Sequence, residues 1–445
     1  MRLLGIGREG INIFCGLMDI CQGISISTYH SITEHIHTAA SLMFKFTTKK
    51  AVDKEKELNV QQGRPLTDLK VSGDGSWKKR GFNSLYGVAT LIGYYSGKVV
   101  DLAVKSSYCQ ACVLWNKKKN TDAYVEWYEQ HEETCSANHE GSAGKMEADA
   151  INEMFSSSEE KFGVRYVNFI GDGDSKTYKS ILTLNPYGED CPVKKSECVG
   201  HVQKRMGTRL RNIKKKEKLG GKGRLNLVIK KLTTYYGLAI RRNVHSVGDM
   251  KKSIMATLYH YCSTDENPKH ENCPAGADSW CEWRKAEAAG QLVNYKHPAP
   301  VIKPDIEKHL TSIYEDLSNE DLLTRCLGGH TQNSNESFNL TVWRIAPKHL
   351  NSGFEIIQIA AYLATGIFNE GYTAILLMMQ LLEINIGQQC KMFADNYDAQ
   401  RIARGERRRS STTKEARTAR RLEQMQQNKF FEEAEGLQYG PGIAD

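Results

Sequence analysis

Three strand-like segments follow one another closely in the first quarter of the chain. LKVSGDGSW (69–77), SLYGVATLIGYY (84–95) and GKVVDLAVKSS (97–107) are short and rich in β-branched and aromatic residues, which is typical of strands. Ser96-Gly97, between the last two, predicts a tight hairpin turn. These segments predict three consecutive strands of one sheet.

A helix, a fourth strand and a fifth come next. GKMEADAINEMF (144–155) predicts an amphipathic helix, and VRYVNFI (164–170) predicts a buried strand that ends at GDGDSK. Another helix and a short strand lead to ECVGH (197–201), and SNESFNLTVWRI (334–345) predicts a late helix. This order predicts an α/β fold, a mixed sheet with helices on its faces. The long helical stretch before the late helix predicts an inserted helical domain.

The predicted organisation has five parts, two of which carry a Cys/His cluster. They are an N-terminal helical region at 1–60, the first part of the sheet core at 65–201 with a Cys/His insertion at 108–140, a basic helical insertion at 202–325 with a Cys/His cluster at 260–283, the last core helices at 326–390, and a charged, flexible tail at 391–445.

Bulk properties exclude several classes of protein. Hydrophobic residues make up 40% of the chain, which excludes a disordered protein. Arg8 and Glu9 interrupt the start where a signal peptide needs an apolar run, so none is expected. Glu370 and Glu383 interrupt the most apolar late stretch, which therefore predicts core helices rather than a membrane span. In a reducing compartment, twelve cysteines indicate metal sites or buried thiols rather than disulfides.

The positive charge is concentrated in one segment. The whole chain carries +8, whereas residues 201–252 contain 16 Lys or Arg and two acids, a net charge of +14. Such a concentration is expected when the partner is a polyanion, although a solvated helix surface is the alternative. The expected phosphate contacts are Lys204, Arg205, Arg209, Arg211, Lys214, Lys215, Lys216 and Lys218.

Four acidic residues flank the predicted strands and the late helix. Asp74 ends the first strand, Asp172 and Asp174 follow the fourth strand, and Glu336 lies in the late helix. If the first and fourth strands are neighbours, carboxylates at matching ends meet, and a helix across that end supplies a third. Carboxylates hold Mg²⁺ or Mn²⁺, and two such ions about 4 Å apart clamp the attacking and leaving oxygens of a phosphodiester. The alternative is that the Asp-Gly pairs only form turns.

Four sequence blocks resemble the Mutator-like (MULE-type) DNA transposase superfamily in order and approximate spacing. They are VSGDGSWKKRG, GDGDSKTY, ECVGHVQKRMGTRLR and NSNESFNLTVW. The resemblance covers roughly residues 10–390. It implies a ribonuclease H-like mixed sheet, a helical insertion domain before the last catalytic carboxylate, and an Asp-Asp-Glu (DDE) triad. The implied triad is Asp74, Asp172 and Glu336, separated by 98 and 164 residues.

The resemblance also implies an activity. It implies a DNA transposase that uses two Mg²⁺ or Mn²⁺ ions to cut at the terminal inverted repeats of a transposon and to join the ends to target DNA. The implied partners are double-stranded DNA and further copies of the chain. The basic runs Lys214–Lys218 and Arg407–Arg409 are candidate nuclear import signals, so the expected location is the nucleus. The alternative is a domesticated, non-catalytic DNA-binding or zinc-organised interaction protein.

Two assignments near the carboxylates stay open. Asp172 lies between two glycines, where the backbone can approach a metal closely, and Asp174 precedes a helix that it can cap, so we assign Asp172 to the metal and keep Asp174 as the alternative. The family's Cys-x-x-His motif corresponds to Cys198 and His201. These two residues either lie near the metal centre or brace the strand that carries it.

Two clusters of Cys and His have the spacing of structural zinc sites. The first is Cys109-x2-Cys112 followed, after 22 intervening residues, by Cys135-x3-His139. The second lies in a loop rich in Pro, Gly and Asn, where a hydrophobic core cannot form; its predicted ligands are Cys262, His270, Cys273 and Cys281, with His260 as a substitute. The sequence therefore predicts two small zinc-binding insertions.

Overall fold

The computed structural model describes residues 2–79, 84–173, 176–216, 224–277, 279–298 and 304–409. Asp174, Lys218 and the residues after Arg409 lie outside this part of the chain. The strands are β1 (Asp68–Trp77), β2 (Tyr86–Gly93), β3 (Val99–Ser106), β4 (Arg165–Gly171) and β5 (Lys194–Glu197).

Helices make up most of the remaining described structure. They are α1 (Arg8–Leu17), α2 (Ile26–Gln61), α3 (Gln110–Trp115), α4 (Asp122–His131), α5 (Ala143–Ser156), α6 (Ser158–Phe162), α7 (Lys176–Leu184), α8 (Val199–Lys216), α9 (Arg224–Arg242), α10 (Val247–Tyr261), α11 (Glu282–Ala288), α12 (Pro304–Asp316), α13 (Glu320–Arg325), α14 (Asn333–Ile345), α15 (Phe354–Glu370), α16 (Thr373–Leu381) and α17 (Gln388–Arg409). Short 3-10 helices lie at Arg2–Leu4, Asn116–Lys118, Glu132–Thr134 and Leu292–Asn294.

The five strands form one mixed sheet in the order β3-β2-β1-β4-β5. β1, β2 and β3 are antiparallel neighbours, whereas β4 runs parallel to β1 and β5 runs parallel to β4. The turn between β2 and β3 contains Gly97 at a φ of 64°, and its N–H donates to the Gly93 carbonyl over 3.0 Å. The predicted α/β class, the mixed sheet and the Ser96-Gly97 hairpin are confirmed.

One face of the sheet carries the hydrophobic core beneath α2, α5 and α7. Leu69 and Val71 of β1 pack there against Ile151 and Phe155 of α5. The buried Glu55 of α2 accepts hydrogen bonds from the N–H groups of Tyr95 and Ser96, at 2.9 and 2.7 Å. α2 is therefore fastened to the β2–β3 turn by a carboxylate as well as by apolar packing.

A second hydrophobic core joins α8, α9, α10, α12 and α13. Buried side chains from these helices meet around Tyr236 and Tyr314, and the Tyr236 hydroxyl donates to the Leu317 carbonyl over 2.7 Å. This core lies in the stretch for which the sequence predicts a helical insertion between β5 and α14. The insertion thus has enough apolar surface to pack on its own residues.

The chain divides into two compact units, residues 1–365 and 366–445. Within the second unit, Asp398 of α17 accepts a hydrogen bond from the N–H of Tyr372, next to the start of α16, over 2.8 Å. α17 continues to Arg409, so the first residues of the predicted flexible tail are helical. In the described part of the chain, every helix is too short or too polar to cross a bilayer.

Candidate active site and metal clusters

Asp74 and Asp172 lie level with each other on neighbouring strands. β1 and β4 run parallel with Ser72 opposite Ile170, so two residues further along each chain brings Asp74 and Asp172 to the same height. Asp172 is the first residue after β4. Asp74 lies inside β1, three residues before its end at Trp77, and the parallel register places the two acids side by side.

Helix α14 crosses the opposite face of the sheet from α5 and is bound to β1 by side-chain hydrogen bonds. The Asn335 amide donates to the Thr90 hydroxyl over 3.3 Å and accepts from the Ser72 hydroxyl over 2.7 Å. One turn further, the Asn339 amide donates to Oδ2 of Asp74 over 2.8 Å. These bonds fix the position of α14 along β1, and Glu336, next to Asn335, is carried to the site by them.

His201 links the other two carboxylates. Its Nδ1 lies 3.3 Å from Asp172 Oδ1, and its Nε2 lies 3.7 Å from Glu336 Oε1. The Lys204 ammonium, one turn of α8 further, is 3.5 Å from the same Glu336 oxygen. The structure therefore brings Asp74, Asp172, Glu336, His201 and Lys204 to one side of the molecule.

The two residues of the Cys-x-x-His motif, Cys198 and His201, have different surroundings. The Cys198 N–H donates to the Gly171 carbonyl over 3.2 Å, directly before Asp172, and its side chain is buried. Cys198 thus braces the end of β4. The His201 N–H donates to the Cys198 carbonyl over 3.0 Å, in the first turn of α8. This turn places His201 beside the carboxylates.

The electrostatics at this edge suit a bound cation. Burial raises the pKa of Asp74 to about 6; Glu336 and Asp172 add repulsion, which His201 and the Gly75 N–H partly offset. A hydrogen bond from His201 lowers the pKa of Asp172, and the same contact raises the pKa of His201. The carboxylates repel one another, and the His201 imidazole and the Lys204 ammonium lie against them. Oxygen donors in this arrangement fit Mg²⁺ or Mn²⁺.

Glu147 of α5 is a further carboxylate that sequence reasoning missed. Burial raises its pKa to about 7, repulsion from Asp74 adds to this, and the Thr177 hydroxyl donates to its Oε1 over 3.1 Å. A side chain at Gly75 would lie 2.9 Å from Glu147 Oε2, so glycine is required beside it. One signal was available: Glu147 lies on the otherwise apolar, buried stripe of α5, four residues after Ala143 and four before Ile151.

The first Cys/His cluster consists of Cys109, Cys112, His131 and Cys135. His131 Nε2 lies 3.3 and 3.4 Å from the sulfurs of Cys109 and Cys112, and those of Cys112 and Cys135 lie 3.5 Å apart. A tetrahedral zinc site with N and S ligands has edges of roughly 3.3 to 3.8 Å. Burial alone would raise the pKa of Cys109, but hydrogen bonds, including one from His131, lower it to about 6.

The structure places His131 in this cluster, at the position predicted for His139. The ring of His139 is buried and lies 3.0 Å from Asp149 of α5, where it fastens the module to the core. His131 ends α4 and lies four residues before Cys135, across the short 3-10 helix. This His-x3-Cys spacing was present in the sequence beside the Cys-x3-His spacing of Cys135 and His139.

The second cluster consists of His260, His270, Cys273 and Cys281. His270 Nδ1 lies 3.4 Å from both His260 Nδ1 and the sulfur of Cys281, distances that again match tetrahedral edges. The structure groups the predicted substitute His260, rather than Cys262, with the other three residues. Cys262 belongs to the second hydrophobic core, and burial raises the pKa of its thiol to about 12.

A family model for Mutator-like transposases matches residues 1–281. The chain belongs to the Mutator-like transposase family. The matched range includes Asp74, Asp172 and both Cys/His clusters, and it ends before Glu336. A search of curated proteins finds no match to the chain.

Membership of the Mutator-like transposase family indicates divalent-metal use and DNA binding. Helix α8 carries most of the residues predicted to contact DNA phosphates. Two of its predicted phosphate contacts also form ion pairs within the protein. Arg205 lies 2.7 Å from the fully buried Glu197, and Arg209 lies 2.9 Å from Asp316. Lys204, Arg211, Lys215 and Lys216 have exposed side chains on the same helix.

Proposed function

We propose that this Mutator-like transposase family member is an active DNA transposase with a ribonuclease H-like catalytic core. It would cut at the terminal inverted repeats of its element and join the ends to target DNA, working in the nucleus as a homo-oligomer. The observation that carries the proposal is the meeting of Asp74, Asp172 and Glu336 at one sheet edge, with His201 between the last two.

The catalytic roles follow from the chemistry of the three acids. Asp74, Asp172 and Glu336 would hold two Mg²⁺ or Mn²⁺ ions, which when bound stabilise charge on the attacking and leaving oxygens of a phosphodiester. Asn339 orients Asp74 through its 2.8 Å hydrogen bond. The Lys204 ammonium supplies positive charge beside Glu336, where a substrate phosphate would approach, and His201 lies between Glu336 and Asp172. The two Cys/His clusters would each hold a structural zinc ion.

Cleavage of a plasmid that carries the element ends, with added Mn²⁺, tests the proposal. Asp74→Asn, Asp172→Asn and Glu336→Gln should each abolish strand cleavage, because each removes a metal ligand, and each should leave DNA affinity unchanged, because the basic surface remains. Glu34→Gln, at an exposed position on α2, is the matched control and should cleave normally.

The same assay separates Asp172 from Asp174. Asp174→Ala should keep cleavage and lose roughly 1 kcal/mol of stability, as expected for a helix N-cap. An inactive Asp174→Ala together with an active Asp172→Asn would reverse the assignment. A wild-type protein that binds the ends tightly but never cleaves them would instead identify a domesticated DNA-binding protein.

A further inference from the structure

An open groove leads away from the carboxylates along β1 and α14. It has a volume of about 880 Å³ and begins at Asp74 and Glu336. Trp77 and Lys79 line it from the strand side, and Leu340 and Trp343 line it from the helix side. Since α14 rises about 1.5 Å per residue, Trp343 lies roughly 10 Å beyond Glu336. The groove is therefore continuous with the proposed active site.

The apolar lining of the groove is rigid and open to solvent. The Trp343 indole N–H donates to the Ser76 hydroxyl over 2.7 Å, and the Trp77 indole N–H donates to the Ala143 carbonyl over 2.6 Å. Both rings are thus held by their edges. Leu340, one turn after Glu336, leaves 74% of its surface exposed. A large apolar side chain so exposed beside two ordered indoles contributes little to the core and is suited to contact a ligand.

Two lysines add positive charge to the groove. Lys79 is exposed at the end of β1, and the Lys348 ammonium lies 4.9 Å from the centre of the Trp343 ring. Ordered aromatic rings with cations beside them are the combination that binds unpaired nucleic acid, because every base offers a flat face and every nucleotide carries a phosphate. A duplex stacks its base faces internally and offers only edges and phosphates.

We propose that this groove binds an unpaired DNA segment, about three nucleotides long, next to the phosphate to be cut. Its bases would lie against Leu340 and Trp343, and its phosphates would lie near Lys79 and Lys348. The inference rests on the proposed function, which identifies the bound segment as part of the DNA strand to be cut. It adds that DNA at the cleavage site is opened rather than held as a continuous duplex.

Fluorescence anisotropy with the full chain, in the absence of added divalent metal, tests the proposal. The probes are a short fluorescein-labelled oligothymidylate and a hairpin duplex of equal phosphate number. Trp343→Ala should weaken oligothymidylate binding by about tenfold or more, the usual loss for one base–aromatic contact, and Leu340→Ala should weaken it by a smaller factor. Each should change duplex binding by less than about twofold. Leu381→Ala, a control at an exposed leucine of α16, should change neither.

Two further variants separate ligand binding from a structural role of Trp343. Trp343→Phe keeps an aromatic face and should retain most of the affinity for oligothymidylate. Ser76→Ala removes the hydrogen bond but keeps the ring, and should also bind nearly normally. If Ser76→Ala lowers binding as much as Trp343→Ala, or if the groove variants lose single-strand and duplex binding equally, the proposal is overturned.

The outcome is independent of cleavage. If no cleavage is found with Mn²⁺ but the groove variants selectively lose oligothymidylate binding, the groove proposal stands and the transposase activity does not. If the protein cleaves element ends while Leu340→Ala and Trp343→Ala bind oligothymidylate as wild type does, the activity stands and the groove proposal is wrong.

Discussion

Asn335 connects α14 to two strands through a single side-chain amide. It is fully buried and exchanges hydrogen bonds with Ser72 and Thr90. Asn335→Ala should destabilise the protein by about 1–3 kcal/mol, because buried polar partners lose their hydrogen bonds. It should also slow cleavage, because Glu336 loses its fixed position over β1. Asn333→Ala, at an exposed position of the same helix, is the control.

Chemical denaturation and Mn²⁺-dependent cleavage measure these two effects of Asn335→Ala. The expected signature is reduced cleavage at a temperature where the variant is still fully folded. Unchanged cleavage by a measurably destabilised variant would show that α14 is positioned without Asn335.

Asp101 of β3 is a buried acid far in sequence from the proposed site. Burial raises its pKa to about 7; Lys161 and the Leu102 N–H oppose the rise, and Glu153 adds to it. Between 3.8 and about 7 the unfolded chain releases this proton and the folded protein keeps it. The free energy of unfolding therefore falls as pH rises through this window, by up to about 4 kcal/mol. Above pH 7 the loss is complete.

Asp101→Asn should remove this pH dependence, because asparagine keeps the shape and cannot ionise. Urea unfolding at about pH 4.5 and about pH 8 measures the effect: the variant should gain stability over wild type at the higher pH only. Asp53→Asn, at an exposed position of α2, is the control. A variant less stable than wild type at pH 8 would contradict the prediction.

The segments around α3, α4 and α11 have few buried apolar side chains. No residue of α3, α4 or α11 with a described side chain is fully buried. Trp115 and Trp127 stack at 4.8 Å, and Trp127 also stacks on the cluster residue His131. The structural zinc ion proposed for each cluster would supply folding energy to these small modules.

Metal analysis of variants tests the ligand sets. The wild-type protein should carry close to two zinc ions. His131→Ala and His260→Ala should each lose one, because each removes a ligand. His139→Ala and Cys262→Ala should keep both, although each lies close by in sequence. Loss of zinc from His139→Ala with retention in His131→Ala would restore the ligand set expected from sequence spacing.

Charge is distributed unevenly over the whole molecule, with +14 in residues 201–252 of a chain that carries +8. Replacing Lys214, Lys215, Lys216 and Lys218 by alanine should flatten the slope of log affinity against log salt by about 3 to 4 units for duplex DNA, since each lost phosphate contact contributes about 0.9. An unchanged slope would show that this end of α8 faces solvent in the complex.

Arg205→Ala should mainly lower stability, because it removes one ion-pair partner of the buried Glu197.

Much of the molecule was predictable because the responsible forces are local. β-branched runs predicted β1 to β4 to within two residues of their ends, Ser96-Gly97 predicted the hairpin, and helical periodicity predicted α5 and α14. The spacing of cysteines predicted both clusters, since ligands on one turn or loop are close in any fold. The catalytic roles of Asp74, Asp172 and Glu336 rest on a family resemblance and stay a prediction.

Contacts between distant residues were not predictable, because they depend on how whole elements pack. The residues around His131 and His139 do not indicate which of the two rings lies beside Cys109. The position of α4 in the fold determines this. The ion pair of Arg205 with the buried Glu197 was likewise not visible in the sequence. The bonds of Asn335 and Asn339 to β1 span more than 260 residues. Neighbours along the chain set backbone propensity, whereas partners of buried polar groups are chosen by tertiary packing.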